Sequence, residues 1–82
     1  MRQHRDIYRI NGDIYRAALA LQAQFPGGSP AETRSWEAAQ SYAKKAFHAR
    51  DSSAQEFWNF TADFLYWREC DAGRFDLVLI EK

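Results

Sequence analysis

The sequence predicts a mainly α fold: a three-helix bundle-like domain with short extended N- and C-terminal segments able to pair as strands. Three observations point there. Apolar residues recur at helical spacing over about 13–25, 30–50 and 53–70. Residues 25–30, Phe-Pro-Gly-Gly-Ser-Pro, break the chain between the first two stretches, and residues 51–54, Asp-Ser-Ser-Ala, do so between the second and third. Segments of strand character lie only at the ends, at 5–10 and 74–82.

The first segment repeats Asp-Ile-Tyr-Arg at 6–9 and 13–16. Two readings compete for it. Asn11-Gly12 can form a two-residue hairpin turn that sets Tyr8 across from Tyr15. Alternatively, Gly12 ends an extended piece and Asp13 caps a helix. Ile14, Ala17, Ala18, Leu21 and Phe25 keep helical spacing and favour the second reading.

Ser29, Pro30 and Glu32 then read as the start of the second helix: a serine cap, a proline in the first turn and an acid for a capping box. Its apolar stripe is Trp36, Ala39, Ala43, Ala46 and Phe47, flanked by Tyr42, with Arg34, Glu37, Ser41, Lys44, Lys45 and His48 opposite. The alanine row leaves a shallow groove that a bulkier helix can fill. The third helix supplies that bulk. Trp67, Phe60, Phe64, Phe57, Thr61, Leu65 and Trp58 fall within an arc of roughly 180°, Tyr66 and Ala62 widen it, and only Asn59 and Asp63 clearly face water. Asp51, Ser52 or Ser53 provides its cap, and the short link makes helices two and three antiparallel neighbours. Gly73 supplies the stop before the terminal strand segment.

Eighty-two residues make one domain, 1–82, and at this size folding buries only about 60% of the unfolded chain's surface. A single cysteine, Cys70, excludes an internal disulfide, and it forms no zinc-ligand spacing with His4 and His48. The remaining supplements are large core side chains and oligomerisation, and aromatics are 16% of the chain. No stretch reaches the ~20 apolar residues of a membrane span, and Met1 to Arg5 leads into no apolar run resembling a signal peptide. The expected location is the cytoplasm, with no membrane partner.

The net charge is zero but polarised. Residues 1–50 carry eight Arg and Lys against four Asp and Glu, a balance of +4, and residues 51–82 carry three against seven, a balance of −4. Such polarity favours self-association. The zero net charge disfavours a dedicated nucleic-acid binder, which normally has a basic excess, although Arg34, Lys44, Lys45 and Arg50 offer a basic set for a weak, salt-sensitive one.

No catalytic constellation emerges. Cys70 lies near neither histidine on a helical reading, and Glu56 and Asp63 are two helical turns apart. No cofactor or metal is expected. The functional expectation is a non-enzymatic protein-interaction module: a homodimeric small accessory or inhibitor protein, of the kind made by bacteria or their mobile elements, that occludes a larger protein. Its candidate interface residues are Trp58 and Tyr66, at the edges of the aromatic arc, with Tyr8 and Tyr15. The alternative is a nucleic-acid-binding regulator using the basic residues of the second helix.

Overall fold

The computed structural model describes residues 6–27, 32–71 and 75–80, with side chains described for 9–27, 32–70 and 77–80. The order is β1 (Asp6–Asn11), α1 (Gly12–Gln24), α2 (Ser35–His48), α3 (Ser52–Asp71) and β2 (Phe75–Ile80). The two ends of the chain meet, as the strand character of both segments led us to expect. β1 and β2 pair in parallel, with Asp6 opposite Phe75, Ile10 opposite Leu79 and Asn11 opposite Ile80.

At residues 11–12 the hairpin reading gives way to a strand running straight into a helix. The cap is Asn11 rather than Asp13: Asn11 is extended, and its Oδ1 accepts from the Ile14 N–H at 2.8 Å. Asp13 instead sits in the first turn, where its charge suits the helix dipole, and pairs with Arg16. Ile14, Ala18 and Leu21 form the buried stripe of α1. The helix closes at Phe25, whose N–H donates to the Leu21 carbonyl at 2.8 Å, and Gly27 follows with φ +66°.

Helix α2 begins at Ser35, five residues after the expected start at Pro30. The anticipated cap at Ser29 and Pro30 lies outside the described residues. The physical start is Arg34, extended at φ −89° and ψ 159°, whose N–H donates to Glu37 Oε1 at 3.1 Å. Glu37 therefore turns back to satisfy the helix end. Ser35 is fully buried, with its hydroxyl donating to Glu69 on α3.

The α2–α3 pair is the centre of the molecule. Trp36 meets Tyr66, Tyr42 meets Trp58 and Ser35 meets Glu69, so positions descend on one helix as they rise on the other and the pair is antiparallel. Ala39, Ala43 and Ala46 form the small-residue floor, joined by Ala38, which the stripe had omitted. Opposite them α3 buries Phe64 and Leu65 completely. Each such side chain contributes roughly 1.5–3 kcal/mol by leaving water. Thr61, also fully buried, satisfies its hydroxyl by donating to the Phe57 carbonyl at 2.8 Å. α1 and Ile10 of β1 close the other side of this core, with Tyr15 packed 6.1 Å from the Phe64 ring.

The turn between α2 and α3 is held by backbone hydrogen bonds. The Asp51 N–H donates to the Ala46 carbonyl at 2.9 Å and the Arg50 N–H to the Phe47 carbonyl at 3.1 Å, the paired bonds of a Schellman cap. That cap forces Arg50 to φ +58°, a left-handed conformation usually taken by glycine. Asp51 then caps α3 at once, its Oδ1 accepting from the Ala54 N–H at 3.1 Å.

Three aromatics depart from the expected arcs, Phe60, Phe47 and Trp67, the last 40% exposed. Phe60 is 51% exposed and Phe47 60% exposed. Phe60 stands on an open groove and Phe47 in the last turn of α2.

Candidate interaction surfaces

Apart from Leu19 on α1 and Trp67 on α3, the large apolar side chains left on the surface of the described residues fall into two regions. The first surrounds a groove of about 760 Å³ between the ends of the two strands and the first half of α3. Ile10, Ile14 and Phe57 form its apolar wall, Phe60 and Ile80 stand on its rim, and Arg9 and Glu56 place one charge of each sign beside it. Beyond Ile80 the apolar surface continues along β2, where Val78, Leu79 and Ile80 are all between 41% and 50% exposed. Residues on both sides of the strand are therefore in water.

The second region is the side of the α2–α3 hairpin turned away from α1. The burial pattern locates it. On α2, Ala38 and Ala46 are buried and Tyr42 is packed on the core, so the Gln40, Lys44 and Phe47 flank looks outward. On α3, Phe64 and Phe57 face α1, so Gln55, Asn59 and Tyr66 look outward beside it. Trp36 and Tyr66 form one end of this face, edge to face at 5.4 Å, and Phe47 forms the other.

The sequence candidates are divided among these regions. Tyr66 is on the hairpin's outer face and half exposed. Trp58 is half-buried and packed on the core, its ring 4.8 Å from Tyr42 and 5.0 Å from Phe57. Tyr15 is half-buried against Phe64, with the Arg68 guanidinium 5.8 Å over its ring. Tyr8 belongs to β1, and its side chain lies outside the described side chains. Sequence reasoning assigned Phe60 and Phe47 to the core and left Ile80 and Val78 without a site. Strand pairing between distant segments creates the groove, so no local pattern could reveal it.

The basic candidates do not converge on one spot. Arg34 and Lys44 are ten positions apart, about 15 Å along the helix axis. Lys44 and Lys45 point about 100° apart, and the Lys45 ammonium sits 5.6 Å over the Tyr42 ring. Arg50 occupies the left-handed turn position.

Among the described residues no group of three or more His, Cys, Asp or Glu side chains is placed to hold a metal ion. No described helix is long and apolar enough to cross a membrane. Compared with known protein families, curated proteins and solved structures, the chain matches none.

Proposed function

We propose that the chain is a non-enzymatic protein-interaction module that works as a homodimer and binds a larger protein by contact, in the manner of an accessory or inhibitor protein. The observation that carries this reading is the pair of exposed side chains Phe60 and Ile80 on a groove of about 760 Å³, with Val78 and Leu79 exposed farther along β2. Contiguous apolar surface rimmed by polar groups is where soluble proteins meet partners. The shape of the molecule agrees. It measures 49 × 36 × 16 Å with a radius of gyration of 13.6 Å, whereas a compact domain of this length has about 12 Å. A slab this thin leaves much of its apolar surface at the boundary.

The test is affinity capture from cell extract with the unaltered chain and with Phe60→Asp combined with Ile80→Asp. Both positions are half exposed, so helical circular dichroism should be unchanged. A protein retained by the first bait and lost by the second is the expected result. Identical capture by both baits would remove the groove from the reading.

A further inference from the structure

Resting on the interaction-module reading, we infer that the outer edge of β2 is the homodimer surface, where β2 of a second copy pairs antiparallel about Leu79 and joins the two strand pairs into one four-stranded sheet. The edge is built to take a strand. Among the described residues β2 has β1 as its only strand neighbour, so the backbone N–H and C=O groups of its other edge have no strand partner. β2 also overhangs the core. Ile10 and Leu79 stand side by side in the register, yet Ile10 is 5% exposed and Leu79 41%. The two strands differ in protection as well. β1 shows water the charged Arg9 beside the buried Ile10, whereas residues 77–80 of β2 hold no charge to turn another strand away.

The occupant follows from the symmetry of the strand's own sequence. A two-fold axis through the Leu79 pair, perpendicular to the sheet, keeps both cores on the same face and sets each residue opposite the one equally far from Leu79. Val78 then meets Ile80 of the second copy, twice over, and Leu79 meets Leu79, so the three exposed aliphatic side chains cover one another. Three positions out on either side the sequence carries Asp76 and Lys82, which fall opposite each other with opposite sign on both flanks. Glu81 opposite Leu77 is the one unmatched pair. Centring on Val78 instead sets Asp76 against Ile80 and Arg74 against Lys82, an acid on an apolar side chain and two cations together. Charge therefore selects the Leu79 register. Four strands also pass the minimum of about three that a sheet needs for independent stability, which the two-stranded pair does not reach.

Sedimentation equilibrium and thiol cross-linking test the inference. Val78→Asp should weaken dimerisation by roughly tenfold or more, because its carboxylate would be buried against Ile80 of the second copy. Helical circular dichroism should be unchanged, since position 78 is 43% exposed in the single chain. In a Cys70→Ser background, which removes the exposed native thiol, Leu79→Cys should give a disulfide-linked dimer on air oxidation. The two copies of position 79 would lie directly opposite, within about 5.5 Å. Val78→Cys should not link, because two copies of position 78 are a diagonal step apart, about 7–8 Å and beyond disulfide reach. A monomeric unaltered chain overturns the inference. So does a dimer that Val78→Asp leaves intact, or one that links through Val78→Cys as readily as through Leu79→Cys. Phe60→Asp alters the groove and not the strand edge, so the dimer should withstand it even where capture of a larger protein is lost, and the two readings fail separately.

Discussion

The α2–α3 hairpin and the β1–β2 pair solve the same problem, bringing two elements together, with opposite completeness. The hairpin closes across a three-residue link in which the backbone bonds of the Arg50 and Asp51 N–H groups, and the cap from Asp51, are all made. Alanines on one helix match Phe64 and Leu65 on the other. The strands close a loop spanning nearly the whole chain and form only a two-stranded parallel sheet. Parallel sheets are normally covered on both faces, and two strands alone are marginal in water. Here Val78, Leu79 and Ile80 remain open. The difference separates what holds the chain together from what it presents: α2–α3 supplies the stability, and the strand ends supply the groove.

Changes that sharpen this contrast differ widely in size. Phe64→Ala removes a ring with no exposed surface and should cost about 3–5 kcal/mol. In a domain this small that loss should abolish cooperative thermal unfolding followed by circular dichroism. Asp51→Ala removes the α3 cap and should cost about 1 kcal/mol by urea denaturation. Arg50→Gly acts in the opposite direction. It relieves the left-handed strain at φ +58° and should stabilise by about 0.5–1 kcal/mol, measured in the same way. At the sheet, Ile80→Ser should change stability by no more than about 0.5 kcal/mol, because the side chain is half exposed. Hydrogen exchange should then rank the regions, with α3 amides protected far longer than those of β2. Equal protection of the two would erase the distinction.

Most of the architecture was legible because it is local. The three periodic stretches, a short link between the second and third and the strand character of both terminal segments survive in the structure, although the link falls at 49–51 rather than 51–54. The errors arose where a side chain was judged from its own helix alone. The arc on α3 included Phe60 because its angle permits burial, yet burial needs a neighbour on that flank, and the groove lies there. Phe47 continued the α2 stripe by spacing but sits at the helix's last turn, beyond the reach of the core. The N-caps moved because several residues near each start are competent. Asn11 outcompeted Asp13 only once β1 set the entry direction. The positive φ of Arg50 had no sequence signal at all, since the Schellman bonds, not the residue type, impose it. The groove could not be read in advance, because its walls come from residues 9–14, 53–60 and 80.

The central claim is that the apolar surface surplus to this thin fold works between molecules. Light scattering coupled to size exclusion, across a hundredfold range of concentration, tests it most directly. The expected result is a species of twice the chain mass that persists on dilution and weakens as Val78→Asp is introduced. A species of single-chain mass at every concentration would contradict the claim for self-association.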